Sequence, residues 1–228
     1  ITLTIGMTSL WSCDYDKLDK MGSETTHVVV IGFDGLSPDG LQNADTPTFD
    51  TMIEEGASTM HARAVLPTSS STNWASMIMG AGPEQHGITS NAWERDNLTL
   101  PAVTQSEPFL FPSIFHLIRE QRTSEKIGAI YHWGGFGRLF EKNAVDFDEN
   151  PATEEETAVN ASSYINVAKP LHTFVHFDHI DHACHEFGHG TKEYYHAVEK
   201  ADSLLAEIMK AITESGMADN TMVIISSD

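Results

Sequence analysis

Basic residues are scarce in this chain. Its 228 residues include 13 lysines and arginines against 33 aspartates and glutamates, a formal net charge of −20 at pH 7. Nucleic-acid-binding proteins need a basic face that neutralises phosphates, so the charge balance predicts no nucleic-acid-binding surface. It fits either an acidic exported enzyme or an enzyme whose carboxylates are partly neutralised by metal, and charge alone does not separate the two.

Cysteine is scarce as well, and the two cysteines cannot form a framework of disulfides. Cys184 has no evident partner and is expected to be a small buried thiol. Cys13 follows an apolar opening segment, and Leu10–Cys13 is similar to the lipobox in which bacterial lipoproteins carry their lipidated cysteine. Residues 1–26 therefore predict a signal-like segment and linker of an exported protein, periplasmic or at the cell surface, with a candidate lipid anchor at Cys13. An unprocessed apolar N-terminus is the alternative.

Long apolar runs are missing after this segment, so no later stretch is predicted to span a bilayer. Short apolar runs alternate instead with helical patterns, which indicates an α/β fold with a largely parallel central sheet and helices on both faces. We expect one domain over residues 27–228. The predicted strands are His27–Phe33, Ile127–Trp133, His172–Phe177 and a last buried strand at Thr221–Ser227, and the longest predicted helix is Lys192–Ser215.

Carboxylates follow two of these strands directly. Asp34 ends the first strand and Asp228 ends the last. In open parallel sheets, ligands bind at the carboxyl ends of the strands, so these side chains are expected at one functional edge. An Asp-Gly pair such as Asp34-Gly35 is also an ordinary turn, and that interpretation stays open.

A serine-rich stretch, Pro67–Asn91, follows an extended segment at Ser58–Leu66 and leads into a helix that ends near Met79. Helix N-terminal amides favour a bound anion, so a hydroxyl at this place could serve as a nucleophile. Consecutive hydroxyls equally make an ordinary helix cap. The stretch by itself leaves both functions open.

Potential metal ligands crowd into a segment predicted as a loop, residues 178–189. Asp181 and His185 lie four residues apart there, a carboxylate and an imidazole of the kind that Zn²⁺ binds. Two strand-end carboxylates that converge also repel unless a cation lies between them. With a hydroxyl at Ser70, these are the parts of a two-metal esterase. His179, His182, His189 and Asp178 are weaker ligand candidates, and the acidic residues 146–156 are expected to form a solvated loop before a helix near 157–168.

The motifs combine into a pattern that resembles a known family. They are FDG at Phe33–Gly35, TPTFDTMIEEGA at Thr46–Ala57, GxGPEQHGI at Gly80–Ile88, DxxxHxxG at Asp181–Gly188, and the terminal VIISSD. In this order and spacing, residues 27–228 are similar to the type I phosphodiesterase/nucleotide pyrophosphatase family of the alkaline phosphatase superfamily.

The resemblance implies an alkaline phosphatase-like fold and metal-dependent hydrolysis of phosphodiester or pyrophosphate bonds in a small-molecule phosphate ester. It implies two divalent metal ions, Zn²⁺ in this family, one bound by Asp34, Ser70 and Asp228 and the other by Asp181 and His185. Ser70 takes the nucleophile's place. Asn91 matches the asparagine that hydrogen-bonds a non-bridging phosphoryl oxygen, alongside the amide after the nucleophile.

The chain departs from the family pattern in two places. The family usually follows its nucleophile with an aromatic residue, proline, asparagine and histidine, whereas Ser71–Trp74 stand here, which puts nucleotide specificity in question. The family also places two further zinc-binding histidines beyond the position matched by Asp228. We therefore expect the N-terminal part of a catalytic domain, truncated at its C-terminus, that alone binds metal poorly and turns over little.

Three alternatives remain. A sulfatase needs a C/S-x-P-x-R motif, which is missing after Ser70. Phosphomonoesterases of the superfamily hold the phosphate dianion with arginine, and no arginine here has a matching context. A non-catalytic domain that retained the fold is the third alternative.

Overall fold

One parallel sheet organises the part of the chain that the structure, a computed structural model, describes, residues 25–228. Its strand order is β3-β2-β4-β1-β5, and every neighbouring pair is parallel. The strands are β1 (His27–Phe33), β2 (Ile127–Tyr131), β3 (Phe147–Glu149), β4 (His172–Phe177) and β5 (Thr221–Ser226). The predicted α/β class is confirmed. Cys13 and its segment lie outside the described residues.

Eight α-helices of the described residues connect and cover these strands: α1 (Pro38–Asn43), α2 (Pro47–Glu55), α3 (Ser70–Met79), α4 (Pro83–His86), α5 (Ile114–Gln121), α6 (Glu154–Ala168), α7 (His179–Phe187) and α8 (Lys192–Glu214). Ser113, Thr153 and Thr191 cap α5, α6 and α8 by accepting a hydrogen bond from a first-turn amide. Within residues 25–228, none of the helices has the length and apolarity needed to cross a membrane.

Side chains alternate between the two faces of the sheet and build two cores. Val29, Ile31 and Phe33 of β1 pack with α6 and α8, which use the apolar stripe predicted for the long helix. On the other face, Trp74 of α3 and Phe115 of α5 pack with aromatic residues around β2 and β4. Helices on both faces, as predicted, shield a sheet whose central strands are buried on each side.

Gly32 of β1 lets α3 approach the sheet closely. A Cβ atom at this position would lie 2.6 Å from the ring of Trp74, closer than a real contact permits. The absence of a side chain therefore lets the Trp74 ring lie directly over the strand, which brings the start of α3 to the end of β1.

The structure corrects three predictions of local structure. Residues 179–187 form α7, not a loop, and the acidic stretch contains the edge strand β3 and the first turn of α6, where Glu154–Glu156 suit the positive helix end. β5 lies at a sheet edge and leaves Met222 and Ile224 49% and 41% exposed, so it is not a buried strand. Residues 58–66, predicted as an extended segment, pair with none of the described strands and are largely exposed.

Candidate active site

The carboxyl ends of β1, β4 and β5 meet at one edge of the sheet. The Asp34 amide donates a 2.7 Å hydrogen bond to the carbonyl of Phe177, the last residue of β4. The Gly35 amide donates to Asp228 Oδ1 at 3.3 Å, so the residue after β1 contacts the carboxylate that follows β5. The predicted convergence of Asp34 and Asp228 is therefore present in the fold.

Asp34 is buried, and polar side chains from α3 and β4 surround its carboxylate. Trp74 Nε1–H donates to Asp34 Oδ2 at 3.0 Å, and Ser70 Oγ–H points to Oδ1 at 3.5 Å. His176 of β4 places Nε2 at 3.5 Å from Oδ2. Burial lowers the pKa of His176 to about 4, so its ring is neutral at pH 7 and does not neutralise the carboxylate.

The acids at this edge hold their protons more tightly than free carboxyls. Burial, and then the charge of Asp34, raise the pKa of Asp228 to about 7. Burial likewise raises the pKa of Asp34 and of Asp181. Carboxylates that are this costly to ionise together create a place where a bound cation is strongly favoured.

Ser70 is the first residue of α3 and does not cap the helix. Ser69 takes the cap position, and its Oγ lies 2.8 Å from Thr72 Oγ1. Ser70 Oγ instead faces Asp34. The arrangement favours the nucleophile over the cap as the function of the Ser70 hydroxyl.

Asn91 lies beside the start of α3. The Ser71 amide donates a 2.8 Å hydrogen bond to Asn91 Oδ1. Because an amide N–H requires an acceptor, this bond fixes the orientation of the Asn91 side chain and leaves its Nδ2–H₂ as the donor available to a ligand. The Ser71 amide, expected to face the phosphoryl oxygen itself, is occupied by Asn91.

Helix α7 joins the edge through its first turn. The Asp181 amide donates to the Asp34 carbonyl at 3.1 Å. Gly35, at φ +76°, permits this approach, because a Cβ there would lie 2.8 Å from the Asp181 backbone. His185 follows one turn later, with Nε2 at 3.4 Å from Asp181 Oδ2 and a largely exposed ring. The helix, not a loop, sets this pair on one face.

The weaker ligand candidates are occupied elsewhere. His179 is buried and bonds the Ala197 carbonyl, while His189 contacts Ser37 Oγ. Asp178 pairs with His182 and, more closely, with His132 after β2. No sequence pattern singles out His132, and its contact with Asp178 raises its pKa.

The donors at this edge fit a divalent metal ion by their chemistry, since three carboxylates with raised pKa values and an imidazole lie there. As placed in residues 25–228, no group of three or more histidine, cysteine, aspartate or glutamate side chains is arranged to hold an ion. Binding would thus require side-chain movement, for which the exposed His185 has freedom.

Comparison with known proteins identifies the family. The sequence model described as type I phosphodiesterase / nucleotide pyrophosphatase matches residues 28–228. The chain belongs to this family. The resemblance drawn from the motifs is thereby confirmed.

Relatives and structures agree with this assignment. Human bis(5'-adenosyl)-triphosphatase ENPP4 is 26% identical over 222 residues, covering 93% of this chain and 49% of the relative. Mouse ectonucleotide pyrophosphatase/phosphodiesterase family member 7 is 23% identical over 216 residues, covering 88% and 49%. The chain thus spans about half the length of these relatives. The structure of murine ENPP5 (T72A, with AMP) superposes with a TM-score of 0.72 at 21% identity, over 89% of this chain and 56% of that one, which shows the shared fold.

Sequence reasoning also misses two residues that contact Asp34. Trp74 is predicted only as part of the departure from the family pattern, and His176 only as part of a strand. Alternation along β4 indicates that His176 shares a face with Phe174. No sequence pattern shows that Trp74 or His176 contacts Asp34. Cys184, expected to be buried, is only partly buried.

Proposed function

We propose that the protein is a metal-dependent hydrolase of phosphodiester or pyrophosphate bonds, with Ser70 as nucleophile and two divalent ions, Zn²⁺ by family resemblance. The observation that carries this proposal is the position of Ser70 Oγ at the start of α3, facing Asp34, with Asn91 held beside it by the Ser71 amide. Membership in the family supports the reaction class.

The residues divide the chemistry between them. Ser70 Oγ attacks phosphorus, the bond from phosphorus to the ester oxygen breaks, and the leaving group departs with a proton. Water then hydrolyses the phosphorylated serine and restores Ser70. Asn91 Nδ2 donates to a non-bridging oxygen as charge develops there. Metal ions held by Asp34, Ser70 and Asp228, and by Asp181 and His185, would supply positive charge that acidifies the hydroxyl and stabilises the leaving oxygen.

A small phosphate ester is the proposed substrate, with nucleotide esters as its first candidates. The name of human ENPP4 and the AMP complex of murine ENPP5 support nucleotides. Ser71 and Thr72 are small and fully buried, so a nucleotide base would have to contact residues other than those that follow Ser70.

Export as a lipoprotein through Cys13 stays a prediction, which metabolic labelling with a radioactive fatty acid would test.

The test replaces Ser70 with alanine in the whole gene product, loaded with zinc and assayed on bis(p-nitrophenyl) phosphate. We expect kcat to fall by about three orders of magnitude or more, because nucleophile and metal terms act as one unit. Ser69→Ala is the matched control, since its hydroxyl bonds Thr72 and not Asp34, and its rate should stay near that of the wild type. Equal rates for Ser70→Ala and the wild type would contradict the proposal.

A further inference from the structure

Arg138 connects the end of β2 to the loop that carries Asn91. It ends a short 3₁₀ turn, Phe136–Arg138. Its Nη2 donates to the Asn91 carbonyl at 3.1 Å, and its Nη1 donates to the Trp93 carbonyl at 2.9 Å. One guanidinium thus holds two carbonyls of the same loop.

The remaining contacts leave Arg138 little capacity for a ligand. Its Nε donates to the Gly135 carbonyl at 3.4 Å, and Nη1 forms an ion pair with the Glu94 carboxylate. A guanidinium has five N–H donors, and four are engaged in these bonds. Because Glu94 also offsets the charge, Arg138 is poorly suited to bind a phosphate directly and well suited to hold backbone.

Asn91 is fixed from two sides as a result. Its side chain accepts from the Ser71 amide, and its main-chain carbonyl accepts from Arg138. Asn91 belongs to an exposed turn outside any helix or strand, and such segments move readily unless they are tied down. The bond from Arg138 is a second constraint on the turn that carries Asn91 Nδ2.

We propose that Arg138 is a positioning residue for Asn91, setting the place of the amide that stabilises charge on the phosphoryl group. This inference rests on the proposed function. Misplacing a catalytic donor by about 1 Å can cost up to about 100-fold in rate, so a side chain that never touches substrate can still control turnover.

A double-mutant cycle in the zinc-loaded whole gene product tests the role in catalysis. Arg138→Lys keeps the charge but lacks the planar fork that reaches both carbonyls. We expect it to lower kcat/KM on bis(p-nitrophenyl) phosphate by about tenfold or more. In an Asn91→Ala background the same substitution should have no further effect, because its only route to the reaction has been removed. Additive losses would show that Arg138 acts in another way and would overturn the proposal.

Arg119→Lys is the matched control. Arg119 also holds main chain, donating to the carbonyls of Ala144, Thr123 and Glu125 while pairing with Asp146, but it does not contact the Asn91 loop. Loss of these Arg119 hydrogen bonds should leave kcat/KM within about twofold of the wild type in the folded protein, because Arg119 is separate from the candidate site. An equal loss in both variants would indicate general destabilisation and contradict a specific role for Arg138.

Hydrogen exchange tests the clamp without relying on activity. The Ser71 amide is protected by Asn91 Oδ1 and the Trp93 amide by the Ser90 carbonyl, so both report on the loop. Arg138→Lys should speed exchange at these two amides, whereas Arg119→Lys should not. Unchanged protection overturns the inference whatever the enzyme hydrolyses. If the wild type hydrolyses no phosphate ester, the proposed function fails, and exchange alone still decides whether Arg138 holds Asn91.

Discussion

At the scale of single residues, Trp74 combines packing with support of the candidate metal site. Its ring is fully buried against Phe136 and Phe174, with ring centroids at 6.4 and 6.1 Å. Its Nε1–H reaches Asp34 Oδ2 and lowers the pKa of that carboxyl against the larger, opposite effect of burial. A hydrogen-bond donor that does not touch the metal can fix the orientation of a carboxylate that binds it.

Trp74→Phe keeps an aromatic ring in the core and removes only the N–H donor. We expect the dissociation constant for Zn²⁺, measured by titration calorimetry on the whole gene product, to rise by about 10- to 100-fold. Trp93→Phe is the control, because Trp93 is also buried but its Nε1 has no hydrogen-bond partner within residues 25–228. Unchanged affinity in Trp74→Phe would show that the bond does not orient Asp34.

The sequence could indicate which acids share the site but not how each is supported. Asp34 and Asp228 follow apolar runs, and parallel strands end at one edge, so their convergence was predictable. The contact from Arg138 to Asn91 joins positions 47 residues apart, and the bond from Trp74 depends on the bare surface of Gly32. Such contacts arise from tertiary packing, which local patterns do not encode.

At the scale of elements, the parallel pairing of β1 with β5 brings the carboxylates of Asp34 and Asp228 close enough to repel each other. Gly32 is paired with Ser226, so the residues that follow both strands lie side by side. In the metal-free protein the raised pKa of Asp228, about 7 against 3.8 for a free carboxyl, means that ionisation opposes folding. This cost is full above pH 7 and disappears as the pH falls toward 4.

Asp228→Asn should therefore stabilise the metal-free chain. We expect its Tm, measured by calorimetry in EDTA, to rise on the order of 5 °C at pH 8 and to change little at pH 4. The exposed Asp219→Asn serves as the control and should have little effect at either pH. A gain of equal size at both pH values would point to packing, not to charge repulsion.

Helix α7 shows why a segment rich in potential metal ligands was wrongly predicted to be a loop. Ile180, Cys184 and Phe187 follow helical spacing, but histidines and acids between them suggest a ligand-rich loop. Ile180 is buried and Cys184 packs beside it on the core that includes α8. Tertiary contact therefore stabilises a nine-residue helix that is too short to be stable alone. The strands β1, β2 and β4 are predictable because burial on both faces demands continuous apolar runs.

At the scale of the whole molecule, buried neutral histidines make stability depend on pH. Burial lowers the pKa of His86, His172, His176 and His179 to about 4. In the unfolded chain each titrates near 6.5, so below that pH the unfolded state binds more protons than the folded state. Their stabilising contribution is complete above pH 6.5 and is lost between pH 6.5 and 4, opposite in direction to the effect of the raised carboxyls.

His172 allows this effect to be isolated, because it begins β4, away from the acid edge, and packs against Phe115 at 5.5 Å between ring centroids. His172→Leu is similar in volume and cannot titrate, so its unfolding free energy should fall less steeply as the pH decreases. Urea denaturation at pH 7.5, 6 and 4.5 should give a wild-type curve steeper by up to about 1.4 kcal/mol per pH unit below pH 6.5. The carboxyls that both proteins share do not affect the difference between the two curves. Parallel curves would show that His172 is protonated as readily in the folded state as in the unfolded chain.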